Sequence, residues 1–485
     1  MSSTTRPTAD APARSDGTSS PGWEPRQIAA VAIVAVCGVI VALTQTLLVP
    51  VLPEIQLSLG SSTSGTQWLL TVTLLVAAVA VPVFGRLGDL YGKRLMLMVA
   101  AGALLVGSLV CAFSDSLAWL IVGRGISGAS AAAIPLGISL IGSVLPAQRA
   151  GTGIALVSAT LGIGGALGLP LAALVAEHAD YHALFWICVA GGVIALVGIR
   201  LAVAEPPRVA TGRLDLAGSA LLAAALVCLL LPLAQATRWG WGDPKTLGLL
   251  AAAAVLLVVF VLVERRVTSP LVDLVVNARP ALLLTNIASI CVGFALFASL
   301  IGTAAYVQAP SASGYGFGSS VLASGMAMAP SGIAMLLLSP VSAKLSARFG
   351  PKIALALGAA VIAIGFLSRI VFTGSYLEIV IGTTIAGAGT GIAYAAMPSL
   401  ILRGAPASEL AAANGLNALA RSVGSSLASA IGGTILAAST ITLGAYALPS
   451  LTAYRVLFAA CAAAAVVGGL IALVIPTAKR SEPAV

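Results

Sequence analysis

One short stretch combines an acid with bases and glycines in a pattern that could hold two helices together. Residues 85–94 read GRLGDLYGKR, in which Asp89 is the one acid among three basic residues and three glycines. Glycine lets the backbone turn tightly and lets helices approach closely, and a carboxylate is stabilised at a helix N-terminus. We therefore expect Asp89 to accept hydrogen bonds from a neighbouring helix, as part of a conformational latch; the alternative is a plain basic loop. The candidate latch residues are Gly85, Asp89, Gly92, Lys93 and Arg94.

Two arginines, Arg124 and Arg421, lie within long apolar runs. An arginine in the middle of a bilayer costs roughly 2.5–3.5 kcal/mol on insertion scales, so such residues usually face a wet cavity and a partner. We expect Arg124 to face a substrate or coupling cavity; the alternative is a side chain that extends to the membrane surface. Arg421 lies nearer a span end, where structural and functional roles are both open. Asn286 and Tyr306 could line the same cavity or bond a neighbouring helix.

Metal, disulfide and nucleotide chemistry are not indicated. His178 and His182 have the i, i+4 spacing that could share a metal on a helix, but their polar segment reads better as a loop. The six cysteines occur singly in apolar stretches, without a CxxC pair. The sequence also has no GxxxxGK[ST] phosphate-binding loop. We expect no metal, no cofactor and no direct use of ATP.

The composition places these residues in a membrane protein. The chain has 485 residues, of which 59% are apolar and only 8% are charged, whereas a soluble domain carries roughly a quarter of its residues as charge. A membrane helix needs roughly 20 mostly apolar residues, so little of the chain remains for a catalytic domain and we expect no enzyme. The formal net charge of +9 falls in short loops, which favours a role in membrane topology over nucleic-acid binding.

The apolar runs predict an all-α multi-pass protein with fourteen transmembrane helices. GRLGDLYGKR has a weaker copy at residues 343–352, AKLSARFGPK, which indicates two six-helix repeats with two extra helices inserted between them. The predicted domains are a disordered tail (1–26), a six-helix bundle (27–205), the inserted pair with its linkers (206–280), a second six-helix bundle (281–477) and a short tail (478–485). The predicted spans are 28–51, 66–85, 95–113, 117–143, 151–176, 183–204, 216–236, 246–264, 281–307, 318–343, 353–372, 376–402, 410–436 and 453–476.

The distribution of charge predicts the orientation. An even number of spans places both termini on one side, and most of the 25 lysines and arginines then fall on that side. Loops rich in Lys and Arg stay in the cytoplasm. We therefore predict cytoplasmic termini in the cell (inner) membrane. The expected partners are the lipid bilayer and a small-molecule substrate, with no obligatory protein partner.

Motifs along nearly the whole chain resemble those of one transporter family. GRLGDLYGKR is similar to the loop 2–3 signature of the major facilitator superfamily. Other stretches resemble motifs of its fourteen-span drug:proton antiporters, namely Gln67-Trp68, RGISG (124–128), Tyr306-Val307-Gln308 and residues 414–424. The resemblance implies a secondary transporter that exports small amphiphilic drugs or metabolites by alternating access. It also implies a first-span group beside Arg124 and an antiporter-like motif in the fifth span. These residues are Thr44, Gln45 and Thr46, and Gly164, Gly168 and Pro170.

The sequence departs from the family where coupling would be expected. Thr44 stands where the family has an aspartate, and Ala172-Ala173 replaces its final glycine pair. None of the sixteen acids falls in the middle of a predicted span, whereas proton-coupled carriers usually bury a titratable carboxylate. Coupling to protons is therefore open, and an uncoupled facilitator or uptake carrier for a small organic solute is the alternative. With arginines but no carboxylate at depth, we expect neutral or weakly acidic substrates rather than dications.

Overall fold

A computed structural model describes residues 23–48, 51–208, 210–267, 269–443 and 446–476 of the chain. Most of the predicted tail 1–26 and all of the tail 478–485 lie outside these residues. The long helices are α1 (Pro25–Thr46), α2 (Thr63–Tyr91), α3 (Lys93–Ala112), α4 (Leu117–Val144), α5 (Ala147–His178), α6 (His182–Ala202), α7 (Leu216–Trp239), α8 (Pro244–Glu264), α9 (Pro280–Gln308), α10 (Val321–Phe349), α11 (Pro351–Val371), α12 (Tyr376–Gly404), α13 (Leu410–Ala438) and α14 (Leu451–Val474). Short helices occur at Leu52–Ser58 and Leu274–Asn277.

A multi-pass helical membrane protein is confirmed, and the count of fourteen spans stays a prediction. Within the described residues, twelve helices are long and apolar enough to cross a bilayer. The two long helices outside this set are α5, with 32 residues, and α13, with 29. Helix α13 contains Asn414, Asn417 and Arg421, and such polar residues lower the hydropathy on which a span is recognised.

The all-α class is confirmed, and the one pair of strands among the described residues lies at the connection between α13 and α14. Strands β1 (Thr440–Leu443) and β2 (Tyr446–Pro449) pair there as an antiparallel hairpin. The segment TITL alternates exposed and half-buried side chains and is rich in β-branched residues, which favour a strand on a partly buried surface. We call this end of the helix bundle the hairpin end and the opposite end the Asp89 end.

The first six and the last six long helices make corresponding contacts. Helix α1 packs against α5 and α6, as α9 packs against α13 and α14; α3 contacts α4 and α6, as α11 contacts α12 and α14. Between the two groups, α2 packs against α13, and α5 packs against α10 and α12. Helices α7 and α8, which lie between these two groups in the chain, pack against each other, and α7 also lies against α2 and α13. Helix α4 also packs against α13, so the two groups meet on two sides, one along α13 and one along α5.

The predicted spans 66–85 and 95–113 leave residues 86–94 as a loop between them, and this is wrong. Helix α2 continues to Tyr91, α3 begins at Lys93, and Gly92 alone connects them with φ 121°. Residues with a side chain rarely adopt this backbone conformation. The basic and acidic residues of the motif are therefore held on two helix ends, which gives them fixed positions.

Candidate functional site

Asp89 connects the two helix groups. Its Oδ1 accepts a hydrogen bond from the backbone N–H of Ala411 (3.1 Å), and its Oδ2 accepts one from Ala412 (2.9 Å). Both amides belong to the first turn of α13, whose own N-cap residue, Glu409, makes no side-chain capping bond. Asp89 therefore caps a helix of the other group, at a position where the helix dipole also favours an anion.

Two basic latch residues extend the contacts of this carboxylate within the first helix group. Lys93 Nζ lies 3.7 Å from Asp89 Oδ1 and donates a hydrogen bond to Ser143 Oγ at 2.9 Å. Arg94 donates through Nη2 to the carbonyl oxygen of Arg200 at 2.7 Å. The ends of α2, α3, α4 and α6 are thus joined around the group that binds α13.

Glu205 is a further residue of this site that the sequence analysis missed. Its carboxylate accepts hydrogen bonds from the backbone N–H groups of Arg94 (3.2 Å) and Leu95 (3.1 Å) and so caps α3. A Cβ at Gly92 would lie 2.8 Å from Glu205 Oε1, so a side chain at Gly92 would displace this cap. Asp89, Lys93 and Glu205 also line a cavity of 330 Å³ at this end. A lone acid after a span carries no local signal for such a contact.

At the Asp89 end, glycines bring the two helix groups into backbone contact. A Cβ at Gly85 would lie 2.8 Å from the carbonyl oxygen of Ala411, and a Cβ at Gly415 would lie 3.0 Å from that of Val81. Small residues permit such close approach of membrane helices. Helices α2 and α13 therefore close this end.

The fifth-span motif contacts both helix groups. Gly164 and Gly168 pack against α1; a Cβ at Gly164 would lie 2.8 Å from the carbonyl oxygen of Val39, and one at Gly168 would collide with Thr46 Oγ1. Pro170 instead faces the other group, where a Cβ at Gly325 of α10 would lie 2.8 Å from the proline ring. Helices α5 and α10 therefore close the hairpin end.

A central cavity lies between these two closed contacts. Its volume is 30 Å³, enough for roughly one or two waters. It is lined by α5 on one side and by α9, α10, α11 and α12 on the other. Among the described residues that line it, none carries a charge, and the polar ones are hydroxyl side chains. These are Ser299, Ser331, Thr383 and Thr390.

Arg124 does not line the central cavity, contrary to the expected placement. It is 4% exposed and lies in a separate cavity of 10 Å³ inside the first helix group. Its Nη1 and Nη2 both donate to the carbonyl oxygen of Thr44 at 3.2 Å. Thr46 bonds to the carbonyl oxygen of Gly164 at 3.4 Å, and Gln45 is half-buried. The structure therefore brings Arg124 to the first span, but within one helix group.

Arg421 and Asn286 belong to one network inside the second helix group. Arg421 donates to Asn417, whose amide nitrogen donates to Asn286 Oδ1 (3.0 Å) and to Ser289 Oγ (2.8 Å). The guanidinium also lies 5.1 Å from the ring centre of Tyr394. None of these residues lines the central cavity. The network joins α9, α12 and α13, as expected for helix packing through polar groups.

Tyr306 is also placed away from the central cavity. Its hydroxyl donates to the carbonyl oxygen of Thr373 at 3.2 Å. Its ring packs against those of Tyr315 (5.2 Å between centres) and Tyr454 (5.1 Å), and Tyr315 donates to the carbonyl oxygen of Pro449 at 2.5 Å. Tyr306 therefore belongs to an aromatic cluster beneath the hairpin.

Arg369 is a buried cation that the sequence analysis did not single out. Its exposure is 0%, and its guanidinium lies 3.9 Å from the ring centre of Phe458. Nη1 donates to Ser299 Oγ at 3.3 Å, whereas Nε and Nη2 have no hydrogen-bond partner. Ser299 and Phe366, which also packs near the guanidinium, line the central cavity. Arg369 lies near the end of an apolar run, where a basic side chain is usually expected to reach the membrane surface, so the sequence did not indicate its burial.

We expect Arg369→Met to leave the melting temperature unchanged or higher and to lower transport. Replacing a buried charge that lacks an ionic partner by an apolar group of similar size is often neutral or stabilising. A loss of transport from an equally stable protein would show that Arg369 serves transport, through the cavity wall that it contacts, rather than stability. Thermal unfolding of the purified protein and vesicle flux measure the two effects. A lower melting temperature with normal flux per folded molecule would contradict the expectation.

Comparison with known proteins agrees with this architecture. The family model of the Major Facilitator Superfamily matches residues 34–429 and 295–485. The chain is 30% identical over 439 residues to the tetracenomycin C resistance and export protein of Streptomyces glaucescens, covering 89% of this chain and 80% of that protein. It is 28% identical over 392 residues to the multidrug resistance protein Stp of Mycobacterium tuberculosis, covering 80% and 72% of the two chains.

A solved structure supports the fold. The crystal structure of the human organic anion transporter MFSD10 has a TM-score of 0.65 to this chain, and the match covers 93% of this chain and all of that one. At 14% sequence identity, this likeness concerns the fold alone. The family match over most of the sequence, the membrane helices and the corresponding helix contacts all agree on the family of this chain. The chain belongs to the Major Facilitator Superfamily of membrane transporters.

Proposed function

We propose that this protein is a secondary transporter of the cell membrane that exports small amphiphilic drugs or metabolites by alternating access. The observation that carries the proposal is the central cavity, which lies between two closed contacts of the same kind. Helices α2 and α13 meet at the Asp89 end, and α5 and α10 meet at the hairpin end. Opening one contact while the other stays closed would expose the cavity to one side of the membrane at a time.

The proposed direction of transport follows the named relatives. One is a resistance and export protein for tetracenomycin C, and another is a multidrug resistance protein. The cavity wall fits such substrates because it is mostly apolar with a few hydroxyl groups, as in sites that bind apolar ligands with a small number of orienting polar contacts.

The proposed topology has fourteen crossings, arranged as two six-helix repeats with α7 and α8 inserted. The corresponding contacts within the two helix groups support the repeats. Most basic residues outside the spans lie at the Asp89 end or in the tails, so the positive-inside rule places that end and both termini in the cytoplasm. Asp89 and its neighbours would then act as a latch on the cytoplasmic side.

We expect the transporter to protect cells against neutral or weakly acidic amphiphiles more than against dications. No carboxylate is among the described residues that line the central cavity. A dication there would lose its hydration without gaining a counter-charge, which is costly in a medium of low dielectric constant. This preference is checked by the susceptibility of a pump-deleted host that expresses the protein. The host is exposed to monovalent cations, divalent cations, neutral macrocycles and organic acids.

Cells that express Asp89→Asn at an equal level provide the inactive control for this panel. Strong protection against dications that disappears on mutation of a cavity residue would contradict the expected charge preference. Protection against none of the four classes, together with no flux in vesicles, would contradict export itself.

A further inference from the structure

Two carboxyl groups meet where the inserted helices α7 and α8 come together at the Asp89 end. Asp215 caps α7, because its Oδ1 accepts a hydrogen bond from the Gly218 N–H at 2.9 Å. Glu264 is the last residue of α8 and only 3% exposed, and its Oε1 accepts from the Val272 N–H at 2.7 Å. The remaining oxygens, Asp215 Oδ2 and Glu264 Oε2, are buried and have no hydrogen-bond donor.

These two oxygens point to the same place. A Cβ at Gly218 would collide with both of them, so the two oxygens adjoin the same point beside α7. An ionised carboxylate can only accept hydrogen bonds, and two adjacent carboxylates in a buried site resist ionising together. A single proton between the oxygens would give each of them a partner.

Among the described residues, no lysine or arginine forms an ion pair with either carboxyl group. The basic residues nearest in sequence, Arg213, Arg265 and Arg266, are exposed, and the charged group that faces Glu264 is Asp215. The unpartnered oxygen of a nearly fully buried Glu264 therefore has a proton as its simplest ligand.

A second carboxyl pair follows directly along the chain. Val272, which bonds to Glu264, precedes Asp273, whose charge acts on the nearby Glu409. Burial raises the pKa of Glu409 to about 7, with Asp273 and Asp89 acting in the same direction and Arg86 opposing them. Glu409 immediately precedes α13, the helix that Asp89 caps. The two pairs thus connect the inserted helices to the latch.

We propose that Asp215 and Glu264 form a proton-binding site at the base of the inserted helix pair, and that this site, through Val272, Asp273 and Glu409, fastens the pair to the latch. With one proton held, the ends of α7 and α8 and the following segment are fixed. After its loss, two adjacent carboxylates repel and the segment loosens. The site depends on local chemistry and holds whether or not the protein exports drugs.

The sign of the pH effect follows from linkage. A site that holds a proton in the folded protein more tightly than in the unfolded chain contributes stability at low pH and loses it as pH rises through the folded-state titration. We therefore expect the melting temperature of the full-length protein to fall on the alkaline side, with a contribution from Asp215 and Glu264.

Glu264→Gln tests the site without removing its hydrogen bonds. The glutamine amide can donate to Asp215 at any pH, so the variant should fold well and show a smaller alkaline fall in melting temperature than the native protein. Infrared spectra at neutral pH should lose the carbonyl absorption of one protonated carboxyl group per chain. Glu378→Gln is the matched control, because Glu378 is only partly buried and both of its hydrogen bonds are accepted from backbone N–H groups; it should change neither measurement.

The proposal is overturned if Glu264→Gln retains both the native pH profile and the native carboxyl absorption. It is also overturned if sodium or calcium ions, rather than protons, raise the melting temperature at constant pH, since the pair would then be a cation site. Should Glu264→Gln not accumulate, Asp215→Asn is measured in the same way, with the same two outcomes deciding.

Discussion

Replacing Asp89 by asparagine is expected to lower export at least about tenfold while leaving the amount of protein in the membrane unchanged. The carboxylate accepts two backbone hydrogen bonds from the first turn of α13. Hydrogen bonds to a charged group contribute about 1.5–3 kcal/mol, and each 1.4 kcal/mol changes an equilibrium about tenfold. Asparagine keeps the size but offers only one accepting oxygen, so the closed contact between α2 and α13 should lose population. Vesicle flux normalised to protein level measures the effect.

Gly92→Leu should produce a loss of similar size by a different route. The leucine would need the unfavourable φ of 121° and would collide with the Glu205 carboxylate that caps α3. Asp243→Asn is a matched control, because Asp243 caps its own helix at the hairpin end; it should transport normally. Normal flux in both Asp89→Asn and Gly92→Leu would show that the motif only directs membrane topology.

Arg124→Ala is expected to abolish transport, and Arg124→Lys to retain part of it. Two nitrogens of the guanidinium donate to one carbonyl oxygen of α1, and this link between α1 and α4 lies in a buried cavity without carboxylates among its described lining residues. Lysine keeps the charge but lacks the planar arrangement of donors. Alanine removes both and leaves the Thr44 carbonyl group without these donors. Flux at equal protein level, together with thermal unfolding, measures the outcome.

The exposed Arg455 supplies the control for this substitution. Arg455→Ala removes one arginine near the hairpin end and should transport normally. Native transport by Arg124→Ala would contradict a functional role for the buried guanidinium. If the melting temperature falls and the flux per folded molecule stays native, the guanidinium serves helix packing instead.

Local sequence determined the helices and the class of protein. A bilayer requires about 20 apolar residues for each helix, and that requirement is readable from composition within a single window, which is why the helical spans and the transporter family followed from the residues alone. The GRLGDLYGKR motif also identified Asp89 as an acid expected to meet a helix N-terminus. The extent of α2 did not follow, because a charged and glycine-rich stretch continues the helix as far as Tyr91.

Tertiary structure alone decided which side chains share a site. Asp89 bonds to amides of α13 far along the chain, and Glu205 reaches α3 from the end of α6. Arg124, Arg421 and Tyr306 are polar residues in apolar runs, yet they face helices of their own group, while the central cavity is lined by hydroxyl and apolar residues. The burial of Arg369 and the closeness of Asp215 to Glu264 also result from how the helices pack. Hydropathy records whether a residue can enter the membrane, but the rotation of each helix and its neighbours determine what that residue touches.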